Sequence, residues 1–94
     1  MTRQGGGREP APAFVLYSRS WCHLCEDMLA ALRALEPPGR PFDITVLDVD
    51  ADPALLARFD ELVPVLYGDP DGLELCHYFL DEAAVRAYLA ASSS

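Results

Sequence analysis

The chain of 94 residues has no lysine, only three cysteines and no apolar run longer than a few residues. Its positive charges are arginines scattered along the sequence, and Asp and Glu outnumber them to give a net charge of −8. A phosphate backbone needs a basic stripe, so nucleic acid is not an expected partner. A bilayer span needs roughly twenty apolar residues, so no membrane segment is expected. The N-terminal MTRQGGGREPAPA has an early arginine but neither an apolar centre nor a small-residue cleavage site. It is therefore not expected to be a secretory signal, and a cytoplasmic location is the default. Cys22, Cys25 and Cys76 are an odd set with no export signal, which argues against a structural disulfide framework.

What is present is enough apolar content, 51%, for one small domain with a single core. Residues 1–12 combine GGG and two prolines without apolar periodicity, and are expected to form a flexible tail. The domain is expected over residues 13–91, with 92–94 as a loose end. Phe14-Val15-Leu16-Tyr17 predicts a buried strand. From Trp21 onward, Leu24, Met28, Leu29, Leu32 and Leu35 recur at helical spacing until Pro37-Pro38-Gly39 ends the helix. Residues Phe42 to Val49 predict a second strand with an acidic end. Asp52 caps a short helix that has Pro53 at its first position and carries Leu55, Leu56 and Phe59. Val63 to Tyr67 predicts a third strand, although Pro64 is awkward in the middle of a sheet. Gly68-Asp69-Pro70-Asp71-Gly72 is a turn leading to a fourth strand over Leu73 to Phe79, hence a hairpin. Asp81-Glu82 opens a last helix whose buried stripe is Val85, Tyr88 and Leu89. The order is strand, helix, strand, helix, strand, strand, helix. It predicts an α/β fold with a four-stranded mixed sheet and helices on both faces.

The segment SRSWCHLC carries the chemistry. A C-x-x-C pair where a strand runs into a helix is a redox centre, part of a metal site, or two neighbouring buried thiols. At a helix start, unsatisfied backbone N–H groups and the positive end of the dipole stabilise a thiolate. Thiol pKa values fall in such settings from about 8.5 to roughly 3.5–7.5. Cys22 would then be the nucleophile, and Cys25, one turn on, would resolve a mixed disulfide. Arg19, three residues upstream, is a candidate to support the Cys22 thiolate and attract an anionic substrate. Trp21 is either a rim aromatic that shields the pair and meets partners or a packing residue. Cys22, His23 and Cys25, with Cys76 or His77, are also a conceivable zinc set. Cys76 reads first as a buried strand cysteine, with an auxiliary thiol near the site rim as the sharper option.

The stretch YSRSWCHLC resembles the glutaredoxins, through Ser18, Arg19, Trp21, Cys22 and Cys25. The likeness continues through DVDAD and through Val63-Pro64, and covers roughly residues 13 to 90. It implies a thioredoxin-like fold and thiol–disulfide oxidoreductase activity, that is, electron transport through thiols in cell redox homeostasis. By the same resemblance Pro64 is cis and faces the active site, which would explain its place in the third strand, and Val63 offers its backbone to the substrate. Implied partners are a disulfide-containing protein or a glutathione mixed disulfide, and a thiol reductant or reductase. A monomer is expected. No tightly bound cofactor or metal is expected, with glutathione as a reductant or co-substrate.

Two features depart from that family. Tyr78-Phe79-Leu80 stand where it has Gly-Gly before an acidic pair, and bulky side chains deny the close backbone approach that glycine permits. Asp81 and Glu82 keep the acidic pair, as candidate auxiliary groups. His23-Leu24 replaces Pro-Tyr between the cysteines, and a charged His23 would favour the reduced form and make the disulfide more oxidising. The competing class is a non-catalytic thioredoxin-fold binding module, acidic enough to dock on a basic partner, whose cysteines are vestigial or hold zinc or an iron–sulfur cluster.

Overall fold

The structure, a computed structural model, describes residues 11–92. Its elements in chain order are β1 (Ala13–Ser18), α1 (His23–Arg33), β2 (Asp43–Asp48), a 3-10 turn (Val49–Ala51), α2 (Pro53–Phe59), β3 (Val65–Tyr67), β4 (Glu74–His77) and α3 (Glu82–Ser92). The strands form one sheet in the order β2-β1-β3-β4. β1 and β2 are parallel, with Leu16 beside Val46, and β3 runs antiparallel to both β1 and β4. This is the expected order of elements.

Alternation along β1 divides the core between the two faces of the sheet. Phe14 and Leu16 point to one face, where they meet Met28 and Leu32 of α1, Val85 of α3, Leu66 and Cys76. Tyr17 points to the other, with Val65, Tyr67, Val49 and Phe59 of α2. Helices α1 and α3 therefore cover one face and α2 the other. Each of the fully buried aliphatic side chains, such as Leu16, Leu66 and Val85, contributes about 2 kcal/mol of transfer free energy. Aromatic contacts tie the layers together. The Phe14 ring lies 5.2 Å from that of Tyr88, whose hydroxyl donates to the Ala13 carbonyl at 2.8 Å. On the other face Tyr17 stacks on Phe59 at 4.4 Å, with the Arg58 guanidinium 4.7 Å above the Phe59 ring.

The boundaries differ from expectation where side chains outside an element were counted into it. Helix α1 begins at His23, not Trp21, and its buried stripe is Cys25, Met28 and Leu32, leaving Leu24 exposed. Phe42 and Val49 are buried but flank β2, the latter in the 3-10 turn. β3 starts at Val65, after a cis Val63-Pro64 peptide. β4 is confined to Glu74–His77, and Leu73 and Phe79 project into solvent. The β3–β4 register shifts between Leu66, opposite Cys76, and Tyr67, opposite Glu74. Asp52 caps α2 as its position predicts, accepting from the Ala54 N–H, and at the start of α3 Asp81 accepts from the Ala84 N–H. Of the expected tail, residues 1–10 lie outside the described residues, while the Pro12 carbonyl accepts the Asp43 N–H at 2.8 Å. At the other end Ser92 closes α3, and residues 93–94 lie outside the described residues.

Candidate functional site

The strand directions place the key loops at one end of the sheet. β1 leaves there into α1, β3 enters there from α2, and β4 leaves there into α3, as the pairings Tyr17 with Val65 and Val65 with His77 require. The C-x-x-C segment, the Val63-Pro64 peptide and the residues after β4 are thereby brought to one end of the sheet.

Cys22 is the N-cap of α1, with extended backbone, and its Sγ accepts the Cys25 N–H at 3.1 Å. A sulfur thus occupies the position usually filled by a Ser or Asp oxygen, against otherwise orphaned N–H groups and the positive end of the helix dipole. Cys22 and Cys25 are joined in a disulfide, with their Cα atoms 5.2 Å apart. Cys22 is half-buried, and Cys25 is buried at 3% exposure. His23 is exposed on the first turn between them.

Trp21 is 98% exposed, so it is not a packing residue. Its φ is +61°, and Tyr78, at the far side of the site, has φ +64°. Such left-handed backbone is uncommon for bulky residues. Tyr78 stands where the glutaredoxin pattern has glycine, so this chain keeps a conformation that glycine adopts freely while carrying a phenol. Its N–H donates to the Pro64 carbonyl at 2.9 Å and its hydroxyl to the Glu61 carbonyl at 2.7 Å. The ring therefore bridges from the end of β4 to the loop before β3. Pro64 is buried beside it, and the Val63 backbone has no hydrogen bond to another described residue.

The Arg19 guanidinium lies on Asp50 and Asp60, both at 2.9 Å, and also donates to the Asp60 carbonyl at 3.1 Å. Those hydrogen bonds raise its pKa further above the usual arginine value. Its charge is thus balanced by two carboxylates, and it ties the loop before Cys22 to the 3-10 turn and to the end of α2. A shallow groove of about 250 Å³ opens beside it, lined by Ser18, Arg19, Ser20, Val46 and Asp48. Sequence reasoning missed both partners: Asp50 was legible only as part of an acidic run, and Asp60 carried no signal. In the sequence Tyr78 is a bulky residue in place of a glycine, and nothing local signals its bond to the Glu61 carbonyl.

Cys76 is buried in the α1/α3 core, and desolvation pushes its thiol above the ordinary range. It packs with Leu66, away from the role of a rim thiol. His77 is engaged with Glu74 at 2.6 Å. The conceivable zinc set accordingly does not converge, and no group of three or more His, Cys, Asp or Glu among the described residues could hold a metal ion. Asp81 caps α3, and Glu82 pairs with Arg86 at 2.7 Å. No helix among the described residues is long and apolar enough to cross a membrane.

A four-stranded mixed sheet, a cis X-Pro before β3 and a C-x-x-C disulfide at a helix N-terminus define a thioredoxin-like fold with a redox-type cysteine pair. Residues 13–90 match the family described as Glutaredoxin-like domain (DUF836), and the chain belongs to that family. It is 37% identical to protein Ne2328 of Nitrosomonas europaea, with a TM-score of 0.74 over 88% of this chain and 96% of that one. The X-ray structure of an X. campestris protein, XcR50, is 34% identical, with a TM-score of 0.61 over 83% and 96% of the two chains. Thioredoxin 1 of Thermosipho africanus is 20% identical, with a TM-score of 0.56 over 87% and 99%, a likeness of fold alone. The chain matches no curated protein.

Proposed function

We propose that this protein is a thiol–disulfide oxidoreductase that works by dithiol–disulfide exchange. The observation that carries the reading is Cys22 Sγ at the N-cap of α1, accepting the Cys25 N–H while bonded to the more deeply buried Cys25. In the reduced protein, Cys22 as thiolate attacks one sulfur of a substrate disulfide. A mixed disulfide forms, and the first substrate sulfur leaves as a thiolate that takes a proton from water. Cys25 then loses its proton and attacks Cys22 Sγ, which releases the second substrate thiolate and closes the Cys22–Cys25 bond. Two electrons pass to the substrate, and a thiol reductant or reductase restores the dithiol. The Val63 backbone beside the cis peptide, which bonds no other described residue, supports a substrate held by main-chain hydrogen bonds. Arg19 is a positioning residue: it holds the loop that presents Cys22.

Redox titration read by mass spectrometry tests the reading. A reversible Cys22–Cys25 bond with a potential between about −300 and −120 mV supports it. Cys22→Ser is expected to lower exchange by more than about a thousandfold, as loss of a nucleophile does. Cys25→Ser should trap a mixed disulfide on Cys22. A pair that neither forms nor breaks reversibly sinks the proposal.

A further inference from the structure

The end of the molecule that holds the disulfide has an apolar centre and an acidic margin, and a redox pair by itself requires neither. Trp21 is 98% exposed, Phe79 70%, Tyr78 38% and Leu24 36%, and all four follow from the loops and helix start gathered there. Trp21 and Tyr78 hold their places through left-handed backbone, and Tyr78 is pinned by bonds to Pro64 and Glu61. The margin carries Glu26 on the first turn of α1 and Asp27 just after it, Glu61 before β3, and Asp81 and Glu82 at the start of α3. The guanidiniums at this end are already engaged, Arg19 by Asp50 and Asp60 and Arg86 by Glu82. The two imidazoles at this end are His23, exposed on the first turn of α1, and His77, which pairs with Glu74 and lies 4.7 Å from the Tyr78 ring.

Resting on the redox reading above, we propose that this surface docks a disulfide-bearing protein segment whose cysteine is flanked by basic and apolar residues, in preference to glutathione. Glutathione brings two carboxylates and one ammonium to the site. The acidic margin repels that net charge, among the described residues no free guanidinium at this end receives the carboxylates, and the Tyr78 phenol occupies the approach that glycine would open. A cationic polypeptide meets the opposite situation. Its basic residues face the carboxylates of Glu26, Asp27 and Glu61 within a Debye length of about 8 Å, and its apolar side chains cover Trp21 and Phe79. The chemical step is unchanged: Cys22 opens the segment's disulfide, Cys25 closes on Cys22, and the segment is released with two thiols.

The test is stopped-flow oxidation of the reduced full chain, prepared with dithiothreitol and desalted. Four disulfides serve as oxidants: a cysteine peptide flanked by Lys, Arg and Leu as its mercaptoethanol mixed disulfide, the same peptide with Glu replacing the basic residues, glutathione disulfide, and neutral hydroxyethyl disulfide. The basic peptide is expected to react about tenfold or more faster than the acidic one at low salt, a gap that closes near molar salt. It should also outpace glutathione disulfide. Glu26→Lys with Asp27→Lys should reverse the charge preference, and Phe79→Ala should lower the basic-to-hydroxyethyl rate ratio without changing the salt slope. An acidic peptide or glutathione disulfide that reacts as fast as the basic peptide overturns the docking proposal and leaves the redox reading standing. No reaction with any of the four overturns the redox reading and the docking proposal with it.

Discussion

The two ends of the sheet solve the same problem, turning the chain, by opposite means. At the end away from the cysteines, turns are made by residues suited to them. Gly39 takes φ +72° in open space, and the Gly72 N–H closes a turn on the Asp69 carbonyl at 2.9 Å, with the Asp69 carboxylate accepting the Asp71 N–H. At the cysteine end the left-handed positions belong to Trp21 and Tyr78, and the large side chains so displayed lie partly or wholly in water. Backbone strain of this kind costs on the order of 1–3 kcal/mol per residue and persists where the surroundings impose it, commonly at functional sites. The difference teaches that one end is shaped by folding and the other by what it must present. Leu73, exposed on the hairpin at the folding end, is the exception for which the structure offers no account.

Substitutions that exchange the two solutions test this contrast. The largest effect is expected from Gly68→Ala at the folding end. A Cβ there would meet the Tyr88 ring, which is held by Phe14 and by its hydrogen bond to Ala13. The cost is expected to be about 1–3 kcal/mol in urea unfolding, with the exchange rate per folded molecule unchanged. Next comes Gly39→Ala, which meets no atom but forces a left-handed alanine. It should cost about 1 kcal/mol, read the same way. At the cysteine end Tyr78→Gly relieves strain and loses a phenol hydrogen bond. Stability is therefore expected to move by less than about 1 kcal/mol, while the rate with glutathione disulfide rises several-fold relative to the basic peptide. A stability loss as large as that of Gly68→Ala with no change in substrate preference would make Tyr78 a purely structural residue and break the contrast.

The smallest effect concerns Glu36, which closes the connection from α1 to β2. Its carboxylate accepts the Phe42 N–H at 2.7 Å and pairs with Arg33 at 2.6 Å, and these bonds, the Phe42 one first, hold its pKa below the ordinary 4.5. A carboxylate depressed in the folded state stabilises above its unfolded pKa, and that contribution is lost as pH falls below about 4.5. Glu36→Gln should therefore flatten the acid limb of the stability profile below that pH. A limb that is unchanged would show that Glu36 is not the group titrating there.

The elements and the cysteine pair were legible because their determinants are local. Helical spacing through Met28 and Leu32, the Asp52-Pro53 cap and the C-x-x-C at a strand-to-helix junction are properties of short windows, and the corresponding elements form where those windows lie. Boundaries slipped where a buried side chain lies outside regular structure, as with Phe42 and Val49. Within the site, Cys22 at a helix start was readable, whereas Arg19 was expected at the thiolate and lies on Asp50 and Asp60, 31 and 41 residues away. Charge type is written at a position; charge partnership is not, since any of many carboxylates would satisfy an arginine until the chain is folded.

By itself, then, the sequence determined the order of elements, the redox-type pair and the acidic balance of the surface, each the outcome of spacing or composition within a few residues. Only the tertiary structure decided that Tyr78 spans to Glu61 and that Trp21 stands in solvent. Those outcomes depend on which distant segments arrive at the same end of the sheet, and strand direction and register set that arrival after local preferences have been met.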